Sequence, residues 1–304
     1  MSYKSVHYHN FFSPTFVPAA GICHQPGGVH PIGNVHRKKG IPPIQSAVLA
    51  LATLLPHSGA AASSDLLQSH TPSKPKEVVT ERRLVENDPL KRYFLIRRSD
   101  AAEGSLGLVV FVPGGQGGES SLVFAQNLVR YFLPGNTLLA HLVAPRWAAE
   151  QRIVWPTTFV RTPGMKFTTP EFIGDVVDDL LDTYPIDRGR VFAIGGSSSG
   201  PATIESAVTN PAITGLIVSA SVFRPRLFPS MAGIAGKPVF LYYSRQDHLV
   251  PYDDGLLLEA VLGHYGAAVH LRSHIYGHEG KDTAYAIREG IDWLDMHTAS
   301  TPKP

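Results

Sequence analysis

The stretch Val191-Phe-Ala-Ile-Gly-Gly-Ser-Ser-Ser-Gly-Pro201 limits what this chain can fold into more than any other. Val191 to Ile194 is an apolar run of strand type, a tight Gly/Ser turn follows, and a helix-like segment begins at Pro201, where proline suits a first turn. Gly196-Ser197-Ser198-Ser199-Gly200 fits G-x-S-x-G, a motif in which a strand turns sharply into a helix and presents its central serine at the tip. Of the three adjacent serines only Ser198 has glycine at both two-residue offsets. Ser198 is therefore the expected nucleophile. The bland alternative is a Gly/Ser loop without chemistry, and the strand–turn–helix context favours the reactive turn.

A chain of 304 residues has room for one large domain or two small ones. With 43% hydrophobic and 17% charged residues it can build a globular core, and a formal charge of +2 gives no reason to expect a nucleic-acid partner. The single cysteine, Cys23, excludes an internal disulfide and a cysteine-based metal site.

Residues 1–45 are rich in His, Pro and Gly and carry no sustained apolar period, as a disordered extension would. Arg37-Lys38-Lys39 then precedes the apolar stretch Ala47 to Leu55, and Gly59-Ala-Ala-Ala-Ser63 follows. A basic segment, a short apolar run and small residues in that order read as a secretory signal, although further from residue 1 than such signals usually lie. A short buried helix beside a low-complexity tail is the other reading. The apolar run is too short to span a bilayer. The expected organisation is a leader over 1–62, a polar, proline-containing linker over 63–80, one folded domain over 81–298 and a tail over 299–304. The expected location is secreted or periplasmic.

Within the domain, apolar runs of strand length alternate with segments of helical spacing. Strands are expected at Arg92–Arg97, Leu108–Val112, Thr137–Ala144, Val191–Ile194, Ile213–Val218, Pro238–Tyr243 and Val269–Ile275. Helices are expected over Glu119–Phe132, Pro170–Tyr184, Ala202–Val208, Gly255–Tyr265 and Asp282–Met296. This alternation predicts an α/β fold: a mostly parallel sheet with helices on both faces. Ligands of such sheets bind beyond the carboxyl ends of the strands, where the loops at 113–118, 196–200, 244–248 and 277–280 should gather.

A serine hydroxyl needs a base to act as a nucleophile at neutral pH. After Ser198, Asp247 follows one apolar strand in Asp-His-Leu-Val-Pro, and His278 follows the next in Tyr-Gly-His-Glu-Gly. Both lie where catalytic loops belong, in the chain order Ser, acid, His. Asp253 and Asp254 are alternative acids, but they open a helix and suit its N-terminus better. His248 reads as part of the site rim and His264 as surface. His270, His274 and His278 would line one side of a helix as a metal stripe, but the segment alternates like a strand and lacks a carboxylate motif, so no metal is expected.

These motifs resemble the α/β-hydrolase superfamily over about residues 90–298. Within it the chain is similar to the single-domain esterases of the phospholipase/carboxylesterase, dienelactone hydrolase and polyhydroxybutyrate depolymerase-like groups. The resemblance implies Ser198 as nucleophile, His278 as general base and then acid, and Asp247 as its orienter. An oxyanion hole needs backbone N–H groups aimed at the developing charge. One is expected from Ser199. The other is expected from Pro113-Gly114-Gly115-Gln116, where lipases carry HGGG and this chain has proline for histidine; Gly115 and Gln116 both remain candidates.

The implied activity is cleavage of a small or polymeric carboxylic ester without a cofactor. A thioesterase or peptidase with the same triad, and a non-catalytic binding protein of this fold, are the alternatives. The short segment between the strands at 213–218 and 238–243 leaves no room for a large cap. Trp147, Trp155, Phe159 and Phe228 are candidates for lining a substrate pocket, with Trp147 and Trp155 foremost. Arg224 and Arg226 read as solvated surface. The sequence does not fix an oligomeric state.

Overall fold

A computed structural model describes residues 76–298 apart from 102, 103, 229 and 279. The expected leader, with Cys23, most of the expected linker and the tail after residue 298 lie outside the described residues. Eight strands form one sheet: β1 (Val78–Leu84), β2 (Arg92–Arg98), β3 (Leu106–Val112), β4 (Thr137–Leu142), β5 (Ile186–Gly196), β6 (Gly215–Ser219), β7 (Pro238–Ser244) and β8 (Ala268–His274). Their order is β1-β2-β4-β3-β5-β6-β7-β8. β2 runs antiparallel to both its neighbours, and every other pairing is parallel.

β1 has no counterpart in the sequence reading, which ran the linker through residue 80. Val78, Val79 and Thr80 instead begin the strand that pairs with Ile96 to Arg98. As an edge strand β1 carries polar Thr80, Glu81, Arg82 and Arg83, and its residues are only partly buried, so the apolar signal of a core strand is missing.

The helices are α1 (Leu122–Asn127, continued by a π-helical turn to Phe132), α2 (Thr169–Thr183), α3 (Gly200–Thr209), α4 (Tyr252–His264) and α5 (Thr283–Thr298). Period-two alternation along the strands sorts them onto two faces. Leu108, Val110 and Val112 of β3 pack with Phe172, Val176 and Leu180 of α2 and with Ile204 of α3. Val109 and Phe111 point the other way, into a core shared with Leu128 and with Ile287, Ile291 and Leu294 of α5. All seven residues of β3 are buried, as expected of a strand covered on both sides.

Local chemistry sets the helix ends. Thr168 and Glu171 form a reciprocal cap at the start of α2: the Glu171 N–H donates to Thr168 Oγ1 at 3.2 Å, and the Thr168 N–H donates to Glu171 Oε2 at 2.6 Å. At the far end of α3, Lys237 Nζ donates to the carbonyls of Ala207 and Asn210 at 2.6 and 2.9 Å, where a cation meets the negative end of the helix dipole. Between β6 and β7 the described chain makes only two short 3-10 turns, Pro225–Leu227 and Ala232–Ile234, and no cap is inserted there. Among the described residues no helix is long and apolar enough to cross a membrane.

Candidate active site

The parallel strands deliver four loops to one edge of the sheet. β5 ends at Gly196, and a 3-10 turn of Ser197 to Ser199 joins it to α3. Ser197 has φ +51°, a left-handed conformation that a side-chain-bearing residue adopts only when its surroundings enforce it. Here they do. A β-carbon on Gly196 would collide with the Ser219 carbonyl oxygen, so the strand passes too close to β6 for any residue but glycine.

The turn therefore peaks one residue earlier than the sequence motif suggests. Ser197 Oγ–H donates to His278 Nε2 at 3.0 Å, and His278 Nδ1–H donates to Asp247 Oδ2 at 2.7 Å. With Asp247 holding the Nδ1 proton, the neutral ring leaves Nε2 as an acceptor. Asp247 is anchored in turn: its Oδ1 accepts the Leu249 and Val250 N–H groups at 2.7 and 2.9 Å. The Asp247 side chain is 1% exposed and that of His278 19%, so the pair is largely shielded from water on the side away from Ser197. Ser244 Oγ accepts the N–H groups of Gln246 and Gly277, each at 3.1 Å, and so ties the aspartate loop to the histidine loop.

Ser198, the expected nucleophile, does not face the imidazole. Its Oγ–H donates to the Gly115 carbonyl at 2.9 Å. The physical reason is the strand length: β5 runs on through Gly195 and Gly196, so the apex falls on Ser197, with Gly195 and Ser199 at the two-residue offsets. Ser199 takes the place of the second motif glycine and is fully buried. Its hydroxyl lies 2.7 Å from the Val112 carbonyl and 2.9 Å from that of Gly196, and it accepts the Gly196 N–H at 2.9 Å. The N–H that follows the apex is consequently that of Ser198, not Ser199.

The loop after β3 crosses in front of this turn. A β-carbon on Gly114 would lie 3.3 Å from Ser197 Cβ, so this glycine lets the two loops touch. Every carbonyl from Pro113 to Gly117 is bonded. Pro113 accepts from the Trp155 indole at 2.8 Å. Gly114 accepts from Gly117 N–H at 3.2 Å, Gly115 from Ser198 Oγ at 2.9 Å and Gln116 from Arg146 Nη2 at 3.3 Å. Gly117 accepts from Ala144 N–H at 2.8 Å. The N–H groups of Gly115 and Gln116 have no backbone acceptor among the described residues.

Trp155 is thus misread as a pocket residue. It is 3% exposed and sits beneath the glycine loop, with Gly117 against its ring, and it supplies an anchor to a loop whose proline has no side-chain donor. Trp147 is half-buried and packs edge-on against Phe167 with ring centroids 4.6 Å apart. Phe228 is half-buried against Phe223, while Phe159 is exposed.

The remaining candidates are placed as follows. Asp253 and Asp254 lie in the first turn of α4, and neither caps it with its side chain. Asp254 pairs with Arg224 at 2.7 Å, so Arg224 is an ion-pair partner and not plain solvated surface. His270 stacks on Phe240, and His274 stacks on Tyr242. Burial lowers the pKa of His274, as expected of an imidazole packed against a ring. Among the described residues no group of three or more His, Cys, Asp or Glu is placed to hold a metal ion.

Sheet order, the antiparallel second strand and the four loops at one edge define an α/β-hydrolase fold, and solved structures bear this out. An esterase from Rhizomucor miehei matches with a TM-score of 0.54 at 16% identity, over 74% of this chain and 86% of that one. The S-formylglutathione hydrolase FrmB of Staphylococcus aureus matches with a TM-score of 0.53 at 14% identity, over 73% of this chain and 98% of its own. Brefeldin A esterase, a bacterial homologue of human hormone sensitive lipase, matches with a TM-score of 0.53 at 17% identity, over 79% and 80%. No family model matches the sequence, and no curated protein matches it. At these identities the likeness is one of fold.

Proposed function

We propose that the protein is a serine esterase that cleaves carboxylic esters through an acyl-enzyme. The observation that carries this reading is the unbroken chain of hydrogen bonds from Ser197 Oγ through His278 to Asp247 at the carboxyl edge of the sheet. The esterases among its structural neighbours support an ester as the substrate.

In this reading Ser197 Oγ attacks the ester carbonyl carbon while His278 Nε2 takes its proton. The negative charge that develops on the carbonyl oxygen meets the Ser198 N–H, at the start of a helical turn, and an N–H of the loop after β3. The tetrahedral intermediate collapses, and His278 returns the proton to the departing alcohol. Water then attacks the acyl-serine with His278 again as base, and the acid leaves. Asp247 holds the ring in the tautomer that keeps Nε2 open and stabilises the imidazolium that forms. Each step uses groups of the chain and water.

Labelling with a fluorophosphonate and mapping the modified peptide tests the proposal. The expected adduct is on Ser197, with loss of p-nitrophenyl acetate hydrolysis in proportion to labelling. An adduct on Ser198, or an unlabelled protein without hydrolysis, overturns it.

A further inference from the structure

Gln116, two residues beyond the glycine that lies against Ser197, is held by an arginine without a counterion. Arg146 Nη2 donates to the Gln116 carbonyl at 3.3 Å and to its Oε1 at 3.1 Å, and the guanidinium meets no carboxylate among the described residues. Arginines of the neighbouring elements differ: Arg92 pairs with Glu119 at 3.0 Å and Arg224 with Asp254 at 2.7 Å. The connection over 143–168 that carries Arg146 also holds Arg152, Arg161 and Lys166, against Glu150 alone.

Both ends of this arginine are fixed. Gln151 Oε1 accepts the Trp147 N–H at 2.9 Å, and Gln151 Nε2 donates to the carbonyls of Pro145 and Ile153 at 3.2 and 2.7 Å, so the backbone on either side of Arg146 is pinned. Gln116 holds the head. Its Nη2 is occupied there, while Nη1 and Nε have no acceptor among the described residues, and the side chain is exposed. A cation ordered in advance with open donors takes an anion without the cost of freezing a long side chain.

The contacts place the guanidinium on the order of 10 Å from Ser197, through Gly114 and two residues of chain. That is about one Debye length at 0.1 M salt, so its charge is felt at a bound ester. The strand order says which part of the ester feels it. The departing alcohol takes its proton from His278 Nε2, whose loop follows β8. Arg146 comes from the connection after β4, on the opposite side of β5. The acyl portion, directed away from His278, lies nearer the arginine. Five C–C bonds of about 1.5 Å and one hydrogen bond of about 3 Å span the gap.

We infer that Arg146 is a specificity-determining residue and that the favoured substrates are half-esters of dicarboxylic acids, whose free carboxylate meets the open donors of Arg146. This rests on the esterase reading above and names its substrate class.

The test compares two activated esters in one assay: the mono-p-nitrophenyl ester of adipic acid, which keeps a free carboxylate, and its methyl ester, which does not. Hydrolysis without enzyme is subtracted from each. Wild type should favour the carboxylate ester in kcat/KM by roughly tenfold at low salt, mainly through KM, and the preference should shrink to within about threefold near 0.5 M salt. Arg146→Met should bring the ratio of the two kcat/KM values to about one, and Arg146→Lys, which keeps the charge, should retain at least about a third of the preference. Arg188→Met, at an exposed arginine near the start of β5, at the other end of the sheet, should leave the ratio unchanged. No preference in wild type overturns the inference. So does an equal fall on both esters in Arg146→Met, because that is what loss of the Gln116 tether alone would do. A Ser197→Ala protein that still turns over either ester overturns the esterase reading itself.

Discussion

The hydroxyl of Ser199 lies 2.7 Å from the carbonyl of Val112, joining the turn at the end of β5 to the last residue of β3 beneath it. Both strands carry loops that meet at the site, and this buried contact extends their pairing, which ends at Val112 and Gly195, into the turn. Ser199→Ala strands the Val112 carbonyl and the Gly196 N–H without water. The expected loss is about 1–3 kcal/mol of unfolding free energy, measured by denaturant titration. A glycine at the same position, as many such turns carry, should cost no less, since it too lacks the hydroxyl.

In the proposed triad Asp247 acts through His278, whose Nδ1 lies 2.7 Å from its carboxylate. Asp247→Asn preserves the shape of the loop but offers an N–H or a weaker acceptor to Nδ1, favouring the tautomer that blocks Nε2. Turnover on an activated ester should fall by a factor on the order of 10⁴ with circular dichroism unchanged. A loss below about tenfold would show that the carboxylate is not the orienter.

Trp155→Phe removes the indole N–H from the Pro113 carbonyl and, at a buried site, the part of the ring that lies under Gly117. Stability should drop by roughly 1–3 kcal/mol from the stranded carbonyl and the cavity, and in the proposed esterase kcat should fall with little change in KM, because the loop it anchors is needed mainly in the transition state. Thermal melts and steady-state kinetics on the same preparation separate the two effects.

His141, buried near the end of β4 beside Phe94 and Phe111, should make the fold acid-sensitive. Burial pushes its imidazole down to about 4 from the ordinary 6.5. Between those values the unfolded chain binds a proton that the folded chain does not, so stability is present above about 6.5 and is lost as pH falls toward 4. The loss attributable to this residue is on the order of 3 kcal/mol. His141→Phe should flatten the pH dependence of stability across that window, whatever it does to stability at pH 8. An unchanged slope would remove His141 as the cause.

Export is expected from Arg37-Lys38-Lys39, the apolar run after it and Ala60-Ala61-Ala62. The mature chain should begin near Ser63. N-terminal sequencing of extracytoplasmic protein checks this, and residues 1–60 still attached there would refute it.

Strands buried on both faces announce themselves in sequence, because Leu108–Val112 and Pro238–Tyr243 can be little else. β1 does not, since at the sheet edge Glu81, Arg82 and Arg83 face partly into water. Asp247 and His278, whose side chains meet at 2.7 Å, are each legible from a loop that follows a core strand. The serine that meets His278 lies one residue before the one the motif points to. The pentapeptide aligns on its two outer glycines, Gly196 and Gly200, whereas the fold counts from the end of the strand. Gly195 supplies the first small residue and Ser199 the last, and serine is small enough for the second position when its hydroxyl has a partner such as Val112. The left-handed backbone of Ser197 has no signature in its residue type. The roles of Trp155 and Arg146 depend on contacts across 42 and 30 residues, which periodicity does not carry.

The five tethered carbonyls of residues 113–117 bear on when the proposed esterase would become reactive during its own synthesis. Their donors come from the loop itself, the end of β4, the connection after it and the turn after β5, which appears some eighty residues later in the chain. The last of these donors, Ser198, reaches Gly115 only once β5 has paired with β3 in the middle of the sheet. In the proposed esterase the loop would therefore gain its full set of tethers, and reactivity toward acyl groups would follow, only when the sheet is complete.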